Sequence, residues 1–381
     1  MGRPPVKLAL VSDALDPTNG WGRYAGELAR ELIGAGVDVR LVSPRSLATM
    51  VDVRGYPDHA AIPSFQHGRR HPLRVLQRTL PPLLGALRGA DVIHCMVEPY
   101  APAVALAAGR RPYFVSLVGT YSLPSGRPPM ERWLLRWALR RARGLPAISD
   151  YTRRQVERDA NVRQTSVVPL AVRARDFQRE HPPPREPGLI VSVGECKPRK
   201  GFDLALEAFA HLKSEGVASR YVIVGPVSSS SRYAGQLRDR IRELGLDPFV
   251  TLTGVVSEDE LVDWYNRARV VTMPYRLAGS DFDGFGLVLL EANACGTPVV
   301  SAQDSGAEEP VVHNENGLLV PPNDVPALTD ALRTVLTDAA RWQSLARGAR
   351  RRADAMSWRR SAQRLLDVYA DALGSRLEPR A

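Results

Sequence analysis

The chain alternates short apolar runs with longer segments whose apolar residues recur at helical spacing. In the first half, four apolar runs predict buried strands, at residues 6–12, 39–42, 92–95 and 114–118. After the first of these runs, residues 23–35 carry Tyr24, Leu28 and Leu32 on one helical face. This alternation of strands and helices predicts a parallel sheet that is covered by helices.

The second half restarts the same pattern after a break. Its predicted strands lie at 189–193, 221–224, 250–253 and 270–273, and its predicted helices lie at 202–212, 234–244, 258–268 and 358–373. The break is the segment HPPPREPG at 181–188, because prolines cannot sustain helix or ladder hydrogen bonds. The predicted fold class is α/β, with two Rossmann-like doubly wound domains, and 381 residues suffice for two cores.

The strongest candidate site is a Gly-Phe-Gly turn at residues 284–286 that opens an apolar helix. Glycines let the backbone approach a ligand closely, and the first amides of a helix lack intrahelical partners and attract anions. Asp283 precedes the turn, and Glu291 follows eight residues later, roughly 12 Å further along a helix. Two carboxylates at this spacing predict contacts with the hydroxyls at either end of a nucleotide sugar, with the diphosphate on the amides.

Two further glycine-containing loops precede predicted helices. The loop at 193–201 follows the first strand of the second half, so a phosphate fits there, and it contains the cations Arg199 and Lys200. In the first half, Gly20 and Gly22 form a predicted turn after the first strand. The loop at 193–201 is therefore a second candidate contact for an anionic ligand.

The run from Pro274 through Pro322 contains DGFGLVLLEANACGTPVVSA, SGAEEPVV and NGLLVPPND. It resembles the donor-binding core of the family 4 retaining glycosyltransferases, and the Pro-Arg-Lys sequence before Gly201 is similar to that of mannosyltransferase-like members. The resemblance implies the GT-B fold, with two facing Rossmann-like domains at 1–181 and 188–356 and an interdomain cleft. It also implies that a C-terminal segment, residues 357–381, crosses back to the first domain.

The resemblance implies a role for each residue of the candidate loops. Asp283 is expected on the sugar side and Lys200 on the charge of the leaving diphosphate, so these two are the expected catalytic residues. Glu291 is expected to bind the ribose hydroxyls. The other expected donor contacts come from Gly20, Gly22, Arg199, and the amides of Phe285, Gly286 and Leu287.

Three positions depart from the family pattern. Asp283 stands where the family has Glu, Glu195 where an Arg is expected, and Val118 where a His lies near the sugar. Because a carboxylate beside a diphosphate is repulsive, either Glu195 points away or Arg199 supplies the second cation. A non-catalytic sugar-nucleotide-binding protein and a sugar-nucleotide 2-epimerase, which shares two such domains, remain alternatives.

The expected reaction moves a hexosyl group from a GDP- or UDP-linked sugar to an acceptor hydroxyl, with retention of configuration. The acceptor is a glycan, a lipid-linked molecule or a small molecule, in glycolipid, polysaccharide or natural-product biosynthesis. No cofactor and no metal are expected. The sequence from Asp281 to Asp283 spells the Asp-X-Asp of a different glycosyltransferase fold, but there the motif follows an early strand.

Charge and cysteine content bear on partners and location. The net charge is +10, and residues 1–181 contribute +12, which indicates an anionic partner such as a membrane surface. The helical stripe of Arg132, Arg136, Arg140 and Arg143 either contacts such a membrane or is a solvated helix face. Nucleic acid is not expected, because no recognition motif accompanies the charge.

Three cysteines without metal spacing indicate a reducing compartment, and no apolar run approaches the ~20 residues that span a bilayer. We therefore expect a cytoplasmic protein, with peripheral attachment at the inner face of the membrane as a further expectation. His94, at the end of a predicted strand, is either structural or borders the cleft.

Overall fold

The computed structural model describes residues 6–13, 20–44, 58–64, 72–228, 231–276 and 281–373. The strands are β1 (Lys7–Val11), β2 (Asp38–Ser43), β3 (Asp58–Ala61), β4 (Val92–Cys95), β5 (Tyr113–Val115), β6 (Leu145–Ala147), β7 (Thr165–Val167), β8 (Leu189–Val193), β9 (Arg220–Val224), β10 (Val250–Gly254), β11 (Val270–Met273), β12 (Val299–Ala302) and β13 (Gly317–Val320). The helices are α1 (Gly20–Gly34), α2 (Pro72–Ala86), α3 (Ala101–Ala108), α4 (Pro129–Arg141), α5 (Asp150–Ala160), α6 (Phe202–Ser214), α7 (Arg232–Glu243), α8 (Glu258–Arg267), α9 (Leu287–Ala294), α10 (Val325–Thr337), α11 (Ala339–Ala355) and α12 (Trp358–Leu373).

The chain forms two compact units. The first contains Met1–Leu170 together with Trp358–Ala381, and the second contains Ala171–Ser357. Each unit has its own parallel sheet with helical connections, so the predicted α/β class with two doubly wound halves is confirmed.

The sheet of the first unit has the strand order β3-β2-β1-β4-β5, and β6 and β7 form a separate parallel pair. Its central strand is almost completely buried, because helices cover both faces of a parallel sheet. Helix α1 packs against α12, whereas α3 packs against both α2 and α4. Helix α12 covers the range that the sequence predicts and buries residues three or four positions apart, among them Trp358, Leu365 and Tyr369.

The sheet of the second unit has the strand order β10-β9-β8-β11-β12-β13. Strands β8 and β11 are parallel neighbours, although about 80 residues separate them in the sequence. The loops that leave their carboxyl ends therefore start side by side at one edge of the sheet. This adjacency brings the loop at 194–201 to the segment that precedes α9.

The predicted interdomain linker at 181–188 is instead attached to the second unit, and the division of the chain falls earlier, after Leu170. Arg185 donates hydrogen bonds to the carbonyl of Ala268 at 2.9 Å, the hydroxyl of Thr297 at 2.7 Å and the carbonyl of Cys295 at 2.9 Å. Burial lowers the pKa of Arg185 to about 10. The prolines do interrupt regular structure, but the side chain of Arg185 anchors the segment.

The predicted turn at Gly20 and Gly22 also differs from the structure. Helix α1 begins at Gly20, three residues earlier than predicted, so both glycines lie in its first turn. Glycine lowers helix propensity without forbidding a helix, and here the buried face of Tyr24, Leu28 and Leu32 fixes the helix. Among the described residues, no helix is long and apolar enough to cross a membrane.

Candidate nucleotide-sugar site

Two cations and two carboxylates form a cluster where the loops after β8 and β11 meet. The Nζ of Lys200 lies 2.7 Å from Oδ1 of Asp283, and the Nε of Arg199 lies 3.1 Å from Oδ2 of the same carboxylate. The Nη1 of Arg199 also donates to Asp281 at 3.0 Å. Burial works to lower the pKa of Arg199, but the carboxylates of Asp283 and Asp281 outweigh it and hold that pKa above its usual value.

The backbone around Lys200 fixes the position of this cluster. A short 3₁₀ turn, Pro198–Lys200, ends at Gly201, whose φ of 67° suits glycine. A Cβ at position 201 would lie 2.1 Å from the carbonyl oxygen of Pro274, so only glycine allows this approach. The amide of Arg276 donates to the carbonyl of Arg199 at 3.0 Å. The loops after β8 and β11 are thus joined by their main chains as well as by ion pairs.

Helix α9 starts directly after the cluster. Gly286 is its N-cap residue and has a φ of 86°, a conformation that other residues rarely adopt. The carbonyl of Asp283 accepts a hydrogen bond from the amide of Gly306 at 3.2 Å, which holds the turn in place. Phe285 is buried beneath the turn, whereas Leu287 is half-buried in the first helical turn. The start of α9 therefore lies next to the side chains of Lys200 and Arg199, and this arrangement suits an anion.

Glu291 lies on the second turn of α9 and is 3% exposed. Its Oε2 accepts a hydrogen bond of 2.8 Å from the hydroxyl of Tyr265, which follows from the packing of α8 against α9. Asp283 thus lies in the loop before α9, and Glu291 lies in the second turn of the same helix. Their roles towards a ligand stay predictions.

Glu195 is turned away from this cluster. Its carboxylate pairs with Lys197 at 2.7 Å, and its side chain is 54% exposed. Arg199, in contrast, is 20% exposed and contacts Asp283. The two alternatives that the sequence left open are therefore compatible: Glu195 points to solvent, and Arg199 stands beside Lys200 as a second cation.

Asp281 and Asp283 form ion pairs with Arg199 and Lys200. Within the described part of the chain, no group of three or more His, Cys, Asp or Glu side chains is arranged to hold a metal ion. The carboxylates of the Asp-X-Asp sequence are therefore partners of cations in this structure, and a metal-free reaction stays a prediction.

The carboxyl edge of the first sheet contains a buried acid that the sequence analysis did not single out. Glu98 follows β4, and its Oε1 accepts hydrogen bonds from the amide of Val118 at 2.6 Å and from the hydroxyl of Ser122. Its Oε2 has no partner among the described residues. Burial raises the pKa of Glu98 to about 7, although these hydrogen bonds act in the opposite direction. The sequence signal that could have identified Glu98 is an acidic residue that closely follows an apolar strand.

His94 is structural. Its Nδ1 lies 2.5 Å from the hydroxyl of Tyr369 on α12, and its Nε2 lies 2.9 Å from the hydroxyl of Ser116. That hydroxyl also hydrogen-bonds to Tyr24 on α1 at 2.8 Å. Burial lowers the pKa of His94 to about 3, so the ring is neutral and links strand β4 to two helices.

The arginine stripe of α4 is hydrogen-bonded to neighbouring segments: Arg132 and Arg136 are half-buried, and Arg140 is exposed. Arg132 donates to the carbonyls of residues 125 and 127, Arg136 to that of Asp159, and Arg140 to that of Ala160. These bonds tie α4 to neighbouring segments, including the last turn of α5. Trp133 of α4 is 64% exposed and stacks on Trp137.

Two family models match consecutive parts of the chain. The model described as Glycosyltransferase Family 4 matches residues 18–175, and the model described as Glycosyl transferases group 1 matches residues 174–352. A curated D-inositol 3-phosphate glycosyltransferase from Saccharomonospora viridis is 35% identical over 240 residues, 58% of this chain and 54% of that protein. One from Xylanimonas cellulosilytica is 36% identical over 55% of this chain and 48% of that protein. The chain thus spans about half the length of these relatives.

Solved structures resemble the whole chain at low sequence identity. Anabaena HepE in complex with UDP has a TM-score of 0.77 and 17% identity, over 96% of this chain and 100% of that chain. A glycosyltransferase from Rickettsia africae has a TM-score of 0.78 and 16% identity, over 98% of this chain and 100% of that chain. The fold is GT-B, and because the two matched family models together cover residues 18–352, this chain belongs to the family 4 glycosyltransferases.

Proposed function

We propose that this protein is a retaining hexosyltransferase that uses a nucleoside-diphosphate sugar as donor and an acceptor hydroxyl as the second substrate. The observation that carries this proposal is the cluster of Lys200, Arg199 and Asp283 beside the start of α9. Two cations and a helix N-terminus at one place suit a diphosphate, and the carboxylate between them suits a sugar hydroxyl.

In the proposed reaction, the bond from the anomeric carbon of the sugar to the diphosphate oxygen breaks, and a bond from that carbon to the acceptor oxygen forms on the same face. The proton of the acceptor hydroxyl passes to the departing diphosphate. Negative charge grows on the diphosphate as the sugar leaves, and Lys200 and Arg199 stabilise that charge. Asp283 orients the two cations and the sugar.

Glu291 is proposed to bind the ribose. Its carboxylate is buried and is oriented by the hydroxyl of Tyr265, so it presents a fixed acceptor for two hydroxyl groups. Gly20 and Gly22 in the first turn of α1 and the amides of Phe285, Gly286 and Leu287 are the proposed diphosphate contacts. The glycines have no side chain to obstruct a phosphate, and the main-chain amides can donate hydrogen bonds to it.

The relatives suggest which donors and acceptors to test first. HepE was solved with UDP and with UDP-glucose, so UDP-linked sugars are the first donors to test, followed by GDP-linked sugars, since the Pro-Arg-Lys loop is mannosyltransferase-like. The curated relatives are named as D-inositol 3-phosphate glycosyltransferases, so a phosphorylated polyol is the first acceptor class. Lipid-linked and glycan acceptors complete the panel.

The test is a turnover assay combined with thermal shift. A specific nucleotide sugar should raise the unfolding temperature by an amount set by its concentration relative to Kd. With acceptor present, nucleoside diphosphate and glycosylated product should appear in equal amounts. Product from the donor without acceptor would support the 2-epimerase alternative, and binding without turnover across the acceptor panel would support the non-catalytic one.

We further propose that the protein works in the cytoplasm and that the outer side of α4 contacts an anionic membrane when the acceptor is lipid-linked. Residues 72–143 contain eleven arginines and three acids. On helices in this range, Trp133, Leu106, Leu84 and Met130 are exposed. Aromatic and basic residues together suit a membrane interface.

Trp133→Ala should reduce sedimentation with anionic vesicles, and rising salt should reduce it further. Val255→Ala is the matched control, because Val255 is an exposed apolar residue of the second unit. Equal sedimentation of both variants and the wild type would contradict membrane contact through α4.

A further inference from the structure

Tyr275 lies just after β11 and is 1% exposed. Its hydroxyl is buried, and no residue in the described part of the chain is a hydrogen-bond partner of that hydroxyl. A buried hydroxyl without a partner is an exception in folded proteins, because it costs about 1–3 kcal/mol of desolvation that nothing recovers. A phenylalanine would fill the same space without this cost, so the hydroxyl needs an explanation.

The ring of Tyr275 lies beside two residues of the candidate site. The Nζ of Lys200 lies 5.2 Å from its ring centroid, a distance typical of a cation–π contact. A Cβ built on Gly286 would lie 3.3 Å from the hydroxyl and 3.2 Å from Cε2. The hydroxyl therefore lies against the N-cap of α9, and the ring lies beside the ammonium group of Lys200.

The charges around Tyr275 keep its hydroxyl protonated. Burial raises the pKa of Tyr275 well above its usual value, and the carboxylates of Asp283 and Glu291 raise it further, while Arg199 lowers it. At neutral pH the hydroxyl is thus protonated and able to donate a hydrogen bond. Neither carboxylate accepts a hydrogen bond from Tyr275. The carboxylate of Asp283 instead accepts from Lys200 and Arg199, and that of Glu291 accepts from the hydroxyl of Tyr265.

We propose that the hydroxyl of Tyr275 donates a hydrogen bond to a phosphate oxygen of the nucleoside diphosphate held between Lys200 and the start of α9. This inference rests on the proposed function. A phosphate oxygen is the acceptor that this place selects, because a cation and a helix N-terminus both attract negative charge there. The donor substrate thus brings the partner that the described residues do not supply to the hydroxyl, and Tyr275 is a specificity residue for the diphosphate.

The test is Tyr275→Phe, which removes one oxygen and keeps the ring. The variant should unfold at the same temperature as the wild type or higher, because an unpaired buried hydroxyl is gone. Its Kd for UDP or GDP, measured by calorimetry, should rise about tenfold, while its Kd for the unphosphorylated nucleoside should not change.

Tyr221→Phe is the matched control. Tyr221 is a buried tyrosine of the same unit, and its hydroxyl donates to Ser192 at 2.9 Å. This control should lower the unfolding temperature and leave nucleotide affinity unchanged.

Each other outcome has a distinct meaning. A Tyr275→Phe protein that binds the diphosphates as tightly as the wild type overturns the inference and leaves the proposed function standing. An equal loss of affinity for the unphosphorylated nucleoside also overturns it, because the hydroxyl would then act on the base or ribose. A wild-type protein that binds no nucleoside diphosphate overturns both the inference and the proposed function.

Discussion

The carboxyl edges of the two sheets both present acids, but their surroundings differ. At the edge of the second sheet, Asp283 contacts Lys200 and Arg199. At the edge of the first sheet, Glu98 is fully buried, is held by hydrogen bonds from neutral donors, and has an oxygen without a partner among the described residues. Ion pairs compensate the charge of Asp283, whereas burial disfavours the charged form of Glu98.

This difference indicates a division of labour. A site that keeps full charges close to its surface can exchange ion pairs for a charged ligand at little cost in desolvation. Buried groups whose pKa values are shifted towards the neutral form, such as Glu98, His94 and Tyr24, are suited to holding a loop in place. The second unit is therefore the proposed site of the diphosphate, and Glu98 is a support for the segment that contains Val118.

The largest expected effect concerns the stability of the first unit. Because the pKa of Glu98 is raised from 4.5 to about 7, the folded state binds more protons than the unfolded state between these values. The free energy of unfolding should therefore fall as pH rises from about 4.5 to about 7, by about 3 kcal/mol for this group. Urea unfolding of the wild type and Glu98→Gln across this range checks the slope, which the variant should lose.

An identical pH slope in wild type and Glu98→Gln would show that Glu98 is ionised in the folded state. The comparison between a neutral and a charged edge would then fail. Glu157→Gln serves as control, since Glu157 is a partly exposed acid of the same unit that pairs with Arg153.

The next effect concerns catalysis. Lys200→Ala should lower kcat by about 100-fold, the loss expected when a donor to developing negative charge is removed. Lys197→Ala is a matched control from the same loop, because Lys197 pairs with the exposed Glu195. Steady-state assays of both variants check this prediction, and a Lys200→Ala enzyme with wild-type kcat and KM would remove Lys200 from the proposed mechanism.

A smaller effect is expected at the ribose. Glu291→Gln keeps an acceptor for Tyr265 but loses the charge, so nucleoside diphosphate binding should weaken by about 1.5 to 3 kcal/mol. A 2′-deoxynucleoside diphosphate should show a loss of affinity on wild type but little further loss on the variant. Calorimetry with both ligands measures the loss of affinity caused by the deoxy ligand and the loss caused by the substitution. If these two losses add, Glu291 does not contact the ribose.

The smallest effect is expected at Glu195. Because its side chain is exposed and points away from the cluster, Glu195→Arg should tighten nucleoside diphosphate binding by no more than a few-fold, and only at low salt. Arg199→Ala, in contrast, should weaken it clearly at every salt concentration. A strong, salt-independent gain in Glu195→Arg would mean that residue 195 reaches the ligand.

The sequence predicted the elements better than their contacts. Apolar runs located the central strands, and helical spacing located α12, because burial imposes a periodicity that is visible locally. The pairing of Arg199 with Asp281 and Asp283 spans more than 80 residues and depends on β8 lying beside β11. No local sequence pattern shows that β8 and β11 are neighbours.

Two other features show the same limit. The hydroxyl of Tyr275 and Oε2 of Glu98 are recognisable only because neither atom has a hydrogen-bond partner among the described residues, and finding this requires the fold. Arg185 lies in a proline-rich segment that looks like a linker, yet its side chain is bonded to three groups of the second unit. The proline pattern correctly predicted irregular backbone, but it carries no information on where that backbone docks.

The most direct test of the central claim is the equilibrium binding of UDP and GDP to the wild type, Lys200→Ala and Lys197→Ala, measured by titration calorimetry at physiological salt. The account predicts that the wild type and Lys197→Ala bind one of these nucleotides with equal affinity, and that Lys200→Ala binds it at least tenfold more weakly, as expected for a lost charged hydrogen bond. Equal affinity of Lys200→Ala and Lys197→Ala would contradict the claim that the cluster beside α9 holds the diphosphate.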